Sequence, residues 1–276
     1  MTTISMALSH ARTLGIDGLE AQTWLLHVLQ RPRHERAWLL LNEARKLSHQ
    51  EQAQFQHGLA RLQHGEPLAY LTGVQAFHGL DLHVTPDVLV PRPDTETLVD
   101  WALSLPLPHA GVSVMDLGTG SGAIALALKH HRPHWQVQAV DQSLRALQVA
   151  QTNATRLQLN MPFAQSNWLQ QVDGVFDLIV ANPPYIAQGD PHLPALTHEP
   201  QTALVSGPQG LDDLQTIATQ AMAHLKPGAW LLLEHGYDQA LAVCTLLRAQ
   251  GYGQVQSRND LAGIARCSGG MRGEVK

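Results

Sequence analysis

The sequence predicts an α/β protein: an open, doubly wound sheet preceded by a small helical bundle, with a β-hairpin joining the two. Three observations carry this. Apolar residues recur at helical spacing through the first 73 positions, and from Val112 onward short β-branched runs alternate with helical ones. The first of those runs, Val114-Met115-Asp116-Leu117, passes directly into a glycine turn, Gly118-Thr119-Gly120-Ser121-Gly122. At 276 residues the chain has room for one large domain or two smaller ones.

In chain order, helices are expected over Ile4–Leu14, Leu19–Leu29, Ala37–Leu41 and Ala53–Leu62. Gly15-Ile16-Asp17-Gly18 and Arg31-Pro32-Arg33 separate them, Ser48 is placed as an N-cap, and Gly65-Glu66-Pro67 ends the last long helix. Residues 1–73 thus form a first, helical domain. Val74–Phe77 and Leu80–Val84 flank His78-Gly79 as a hairpin, making 74–91 a linker. Pro91-Arg92-Pro93-Asp94-Thr95-Glu96 stiffens the chain and opens a helix to about Leu105, with Asp94 or Thr95 as its cap. In the second domain, 92–276, strands are expected at Val112–Leu117, Val137–Val140, Phe163–Gln165, Phe176–Ala181 and Trp230–Glu234. Gln254–Ser257 and Gly263–Cys267 have no convincing helix between them, so the seven-stranded sheet should close in an antiparallel hairpin. The proline-bearing segment Ile186 to Gly210 reads as a long loop at the edge where such sheets bind ligands.

Composition narrows the class. A hydrophobic content of 44% suits a packed core, no apolar stretch approaches a membrane span of ~18 residues, and the N-terminus lacks a signal-peptide pattern. With only Cys244 and Cys267 there is neither a disulfide framework nor a zinc set, and the sixteen histidines are scattered, so no metal site is expected. A cytoplasmic protein follows. Residues 1–73 carry seven Lys/Arg and six Asp/Glu, whereas 74–276 carry eleven and seventeen. Stable nucleic-acid binding, which needs a basic face against phosphates, is therefore not expected, nor is membrane binding.

The glycine turn lets backbone approach a ligand closely and presents N–H groups at a helix start. With Ala123 it also satisfies the loose dinucleotide pattern, so alone it does not separate a nicotinamide cofactor from S-adenosylmethionine. Asp141, about twenty residues on, can accept both ribose hydroxyls in either case. Asp116 favours S-adenosylmethionine, whose amino-acid tail carries an ammonium in need of a counter-charge. Asn167-Trp168 follows the third strand, where adenine would lie.

The fourth strand discriminates. Asn182-Pro183-Pro184-Tyr185 closes the run Phe176-Asp177-Leu178-Ile179-Val180-Ala181 at the ligand edge. The Asn182 side-chain oxygen and the Pro183 carbonyl can each accept one N–H from a flat –NH2 group, the prolines stiffen the turn, and Tyr185 offers a ring face. That is a cage for a planar nitrogen held in line with a sulfonium methyl, a need that nicotinamide enzymes do not have. The expected catalytic and substrate-binding residues are therefore Asn182, Pro183, Pro184 and Tyr185. The expected cofactor residues are Asp116, Gly118, Thr119, Gly120, Ser121, Gly122, Asp141, Asn167, Trp168 and Asn182.

These motifs together resemble the class I, Rossmann-like methyltransferases that modify adenine N6 or glutamine N5. Glu66-Pro-Leu-Ala-Tyr-Leu-Thr-Gly73, Val90-Pro-Arg-Pro-Asp-Thr-Glu96, Glu199-Pro200 with Ala203-Leu204, and Leu233-Glu-His-Gly236 resemble, more narrowly, the bacterial release factor glutamine methyltransferases of the PrmC/HemK type. The resemblance spans nearly the whole chain. It implies methylation of the glutamine in the Gly-Gly-Gln motif of class 1 peptide chain release factors, which tunes translation termination, with a helical domain that helps engage the release factor. Two departures stand out: Asn167 occupies a position usually held by Asp, and Ser206-Gly-Pro-Gln-Gly210 replaces a more usual Gly-Gly-x-Asp-Gly. Competing readings are an adenine N6 methyltransferase taking a flipped base against Tyr185, a non-catalytic partner-binding module, and an NAD(P) oxidoreductase. The acidic second domain, the intact motif residues and the lack of a hydride-transfer set weigh against them in turn.

Overall fold

The computed structural model describes residues 2–273. The chain divides after Val74 into two compact units. The first contains α1 (Ile4–Thr13), α2 (Gly18–Val28), α3 (Arg36–Leu41), α4 (His49–Gln63) and α5 (Leu68–Thr72). Ser48 caps α4 as expected. Its hydroxyl accepts the Glu51 N–H while the Glu51 carboxylate accepts the Ser48 N–H, so two otherwise orphaned donors are satisfied. Ile4, Trp24, Leu25, Phe55 and Leu59 form the unit's core, and the indole Nε1–H of Trp24 donates to the Phe55 carbonyl at 3.0 Å. The expected elements omit α5, whose five residues are too few for a helical period to register.

The second unit starts at Gln75 and takes in the hairpin of β1 (Val74–Phe77) and β2 (Leu80–His83). His78 and Gly79 both have positive φ, 48° and 82°, as a tight two-residue turn requires. Phe77, Leu80 and Leu82 are buried with Leu98, Trp101 and Leu126, so the ribbon packs as part of this unit's core and is not a free linker. The fully buried Asn153 pins it further. Its side chain accepts the His83 N–H at 2.6 Å and donates to the carbonyls of His83 and Ser121.

The remaining elements are α6 (Glu96–Ser104), β3 (Ser113–Leu117), α7 (Ala123–His131), β4 (Gln136–Asp141), α8 (Leu144–Arg156), β5 (Phe163–Gln165), β6 (Phe176–Ala181), α9 (Asp212–His224), β7 (Leu225–Glu234), α10 (Ala240–Ala249), β8 (Tyr252–Asn259) and β9 (Ala265–Arg272). The sheet has seven strands in the order β5-β4-β3-β6-β7-β9-β8. The first five are parallel and β9 runs antiparallel to both neighbours, which is the closing hairpin the sequence predicts. Strand β7 begins earlier than expected, because Lys226-Pro227-Gly228 at a register shift masks its first residues.

Alternate residues along the strands feed two cores. Val114, Val180 and Leu232 pack with α6 and α7 on one face, whereas Leu117, Ile179 and Leu231 pack with α9 and α10 on the other. Strand order reverses between β3 and β6, so their carboxyl ends open a crevice at the switch point. The segment after β6 is more ordered than a plain loop. It carries 3-10 turns at Leu193–Leu196 and Gln201–Ala203, and Ile186 bridges to Val205. The buried Glu199 carboxylate accepts the Val90 N–H at 3.0 Å and pairs with Arg92, fastening the segment to the chain ahead of α6.

Candidate active site

The crevice holds a cavity of about 270 Å³ lined by Gly118, Thr119, Gly120, Ser121, Asp141, Asn167, Trp168, Asn182 and Pro184, together with residues of the 86–91 and 200–203 segments. Strand β3 delivers the glycine turn. Gly118, Gly120 and Gly122 all have positive φ (68°, 54° and 84°), and a side chain on Gly118 would meet the Trp168 ring at 3.0 Å. At Gly120 a Cβ would meet nothing within 4 Å, so this backbone faces open space that a ligand can approach. Gly122 is buried at the start of α7, behind the cavity wall.

Asp141, at the end of β4, accepts the Gly120 N–H at 2.9 Å through Oδ2 and the Ser143 N–H at 2.8 Å through Oδ1. It therefore braces the glycine turn and keeps a lone pair on each oxygen for a further donor. Burial raises its pKa against the pull of those backbone bonds. Asp116 sits beneath the same turn, 1% exposed and not part of the cavity wall. Its Oδ2 accepts the Thr119 hydroxyl at 2.7 Å and the Ala125 N–H at 3.2 Å, while its buried Oδ1 has no partner. Burial pushes this carboxyl up to about 7.

Beyond β5, Trp168 adopts φ +52°, a left-handed conformation costly for an aromatic residue. It is held there by its Nε1–H, which donates to Asp213 Oδ1 at 3.0 Å, and by its own carbonyl, which accepts the Ser166 hydroxyl at 2.7 Å. Asn167 beside it is exposed and anchored through its backbone to Gln171. The altered 206–210 stretch supports this wall, since the buried Ser206 hydroxyl accepts the Asp213 N–H at 2.8 Å.

From β6, Asn182 projects into the cavity with its Nδ2 donating to Thr95 Oγ1 at 3.2 Å. Pro183 is buried and Tyr185 half-buried. The Tyr185 carbonyl accepts from Gln239 Nε2 at 3.0 Å and its ring packs on the α9/α10-side core. Neither Pro183 nor Tyr185 contributes to the cavity wall, so the structure gathers the glycine turn, Asp141, Asn167, Trp168, Asn182 and Pro184 and sets the other two just behind. Capping of α6 differs from the expectation. The chain is already helical ahead of α6, because Pro93–Thr95 form a 3-10 turn that runs into it. Thr95 therefore has helical backbone angles (φ −64°, ψ −22°) and makes no capping bond, and its 3% exposed hydroxyl accepts from Asn182 Nδ2.

Residue-by-residue reading missed the Glu199 clamp and the cavity contributions of Pro86, Val88 and Leu89. Glu199 and Val90 lie 109 residues apart, and no local pattern signals such a pairing. The only hint was that both fall within the family-like blocks quoted above.

Comparison with known proteins accords with this geometry. Residues 98–207 match the methyltransferase small domain and residues 3–73 match the PrmC N-terminal domain. A relative from Xylella fastidiosa (strain Temecula1) named release factor glutamine methyltransferase is 45% identical over 274 residues, covering 96% of this chain and 98% of its own. Another of that name, from Burkholderia pseudomallei, is 44% identical over 94% of this chain and 93% of its own. A crystal structure of a methyltransferase from Pyrococcus furiosus superposes with a TM-score of 0.56 at 22% identity, over 79% of this chain and 98% of that one, and shares the fold. Among the described residues no helix is long and apolar enough to cross a membrane. Near-full-length identity of this size, covering both units, places the chain in the release factor glutamine methyltransferase family.

Proposed function

We propose that this chain transfers a methyl group from S-adenosylmethionine to the side-chain amide nitrogen (N5) of the Gly-Gly-Gln glutamine in class 1 peptide chain release factors, in the cytoplasm, and so tunes translation termination. The observation that carries the reading is the placing of Asn182, tethered through its NH2 group, in the same cavity as the glycine turn and Asp141.

The residues present fit that cofactor. Open space at Gly120 admits a ligand against the backbone, Asp141 offers two lone pairs to ribose hydroxyls, and the orphaned Asp116 Oδ1 suits an ammonium. Trp168 and Asn167 would border the adenine. When bound, S-adenosylmethionine supplies an electrophilic methyl on a positively charged sulfur.

An amide nitrogen is a poor nucleophile because its lone pair is delocalised into the carbonyl, so positioning carries much of the rate. With its Nδ2 tied to Thr95, Asn182 has Oδ1 left to accept one glutamine N–H, and the Pro183 carbonyl accepts the other. This fixes the amide plane. As the N–C bond forms, the nitrogen gains positive character, so both acceptors interact more strongly in the transition state than in the ground state. Orienting the reactants is worth roughly 7–11 kcal/mol. Tyr185, anchored by its carbonyl to Gln239, supplies a stacking face and excludes water. The proton then leaves to solvent from the more acidic product.

The helical unit, residues 1–73, is assigned to recognition of the release factor and not to chemistry. The defining experiment incubates the chain with labelled S-adenosylmethionine and either release factor or DNA, then maps the product by mass. A methyl on the Gly-Gly-Gln glutamine is expected, and label on adenine would replace the reading. Asn182→Ala should lower the rate about 10²-fold or more with cofactor affinity nearly unchanged, and an unaltered rate would remove Asn182 from the mechanism.

A further inference from the structure

The turn Asn182-Pro183-Pro184-Tyr185 has little backbone of its own to hold it. Pairing of β6 with both neighbours ends at Ala181, and two of the four residues that follow are prolines, which have no N–H. The far end of the turn is fixed from outside instead, through the Tyr185 carbonyl. That oxygen accepts from Gln239 Nε2 at 3.0 Å, and the same NH2 group lies 3.3 Å from the Gly210 carbonyl and 3.4 Å from that of Gln209. Carbonyl oxygens from two separate segments of chain thus converge on one pair of N–H donors.

Backbone groups alone settle the rotation of this amide. Gln239 Oε1 accepts the Gly236 N–H at 2.8 Å, and a backbone N–H only donates, so the NH2 group must face the carbonyls. Two glycines make room for it. A Cβ on Gly210, which has φ +70°, would stand 2.1 Å from the Tyr185 oxygen and 2.9 Å from Gln239 Nε2. One on Gly236 would stand 3.0 Å from Gln239 Oε1. Gln239 directly precedes α10, whose Val243, Cys244 and Leu247 are buried, so the bracket stands on a packed element. The stretch 206–210 departs from the family pattern in its side chains. What Gln239 grips there is backbone, and Gly210, where a side chain does not fit, is retained.

We infer that Gln239 is a positioning residue for methyl transfer. It fixes the Tyr185 carbonyl, and with it the direction in which the turn presents the Pro183 carbonyl and the Tyr185 ring to the substrate amide. Pro184 locks one of the dihedrals between those two groups, so a shift at Tyr185 is passed on to Pro183. Neither Gln239 nor Tyr185 lines the cavity, so the effect falls on alignment of the amide and not on holding of the cofactor. The inference rests on the turn from Asn182 to Tyr185 being the cage for the glutamine amide.

The test compares Gln239→Met, Gln239→Glu and Asn182→Ala in the full chain, with release factor as substrate. For each, kcat and KM are measured beside cofactor affinity by calorimetry. Gln239→Met keeps the length and removes the donors. It should lower kcat about 10–100-fold, the scale of a misplaced reacting group, with cofactor affinity within about twofold of wild type. Gln239→Glu sets a carboxylate against the carbonyls of Tyr185, Gln209 and Gly210 and should be at least as slow at neutral pH. Those carbonyls raise the pKa of the new carboxyl, and a protonated carboxyl again carries a donor. The deficit of Gln239→Glu relative to wild type should therefore shrink as pH falls, while that of Gln239→Met should not. If Asn182→Ala is slow while both Gln239 variants keep wild-type kcat, the bracket is wrong and the cage stands. Full kcat in Asn182→Ala would overturn the cage and this inference with it. A Gln239→Glu deficit that is the same at every pH would show that the donor is not what counts, and would overturn the inference. So would a raised KM for release factor at unchanged kcat, which makes Gln239 a docking residue. Matched losses of kcat and cofactor affinity in both Gln239 variants would make it a packing residue and overturn the inference as well.

Discussion

Replacing Asp141 by alanine tests the cofactor site at its most constrained point. Its carboxylate is held at fixed geometry by the Gly120 and Ser143 amides at 2.9 and 2.8 Å, and it lines the cavity. One lone pair on each oxygen remains for the ribose hydroxyls. Hydrogen bonds to a charged group contribute about 1.5–3 kcal/mol net, which corresponds to roughly a 10- to 150-fold weaker Kd. A second effect adds to this: the Gly120 N–H loses its acceptor and the glycine turn loosens, so the upper part of the range is expected. Calorimetry should show nearly equal losses for S-adenosylmethionine and S-adenosylhomocysteine, since both carry the ribose. The KM for release factor at saturating cofactor should change little. Unaltered affinity for both molecules would refute the assignment, and a loss confined to S-adenosylmethionine would mean that Asp141 senses the sulfonium charge instead.

Cofactor affinity should rise as pH passes upward through about 7, because an ammonium beside Asp116 favours its ionised form and binding must expel the proton that burial retains in the free chain. In the free chain the same raised pKa makes the Asp116 contribution to folding fully present below its ordinary value near 4 and lost as pH rises through about 7. Calorimetry in buffers of different ionisation enthalpy measures the released proton, and Asp116→Asn should abolish it. Gly58→Ala, which helix propensity alone would score as a gain of about 1 kcal/mol, should instead destabilise the first unit by about 1–3 kcal/mol. The new Cβ would stand 2.1 Å from the buried Trp24 indole, whose Nε1–H bond to Phe55 would be displaced, and a raised denaturation midpoint would sink this. Deleting residues 1–73, once retained cofactor binding shows that the remainder folds, should raise KM for intact release factor and leave slow methylation of a short Gly-Gly-Gln peptide little changed. A folded truncation with full efficiency on release factor would assign that unit a purely stabilising role.

Periodicity and local turn chemistry belong to the sequence itself, and they settled the alternation of strands and helices, the Ser48 cap, the His78-Gly79 turn and the closing hairpin. The glycine turn, Asp141 and Asn182 were legible for a related reason: each sits at the end of a strand in one parallel sheet, and parallel strands deliver their carboxyl ends to one edge. Tertiary structure alone decided what stands behind those residues. That Thr95 Oγ1 accepts from Asn182 and that Glu199 clamps Val90 and Arg92 are contacts between segments 87 to 109 residues apart. A side chain's partner over such distances is set by how the sheet stacks its crossovers, which local sequence does not encode. The same holds for Asp116, whose position near the turn is plain from the sequence but whose burial beneath it, with one oxygen unpaired, appears only once α7 has folded down over the strand.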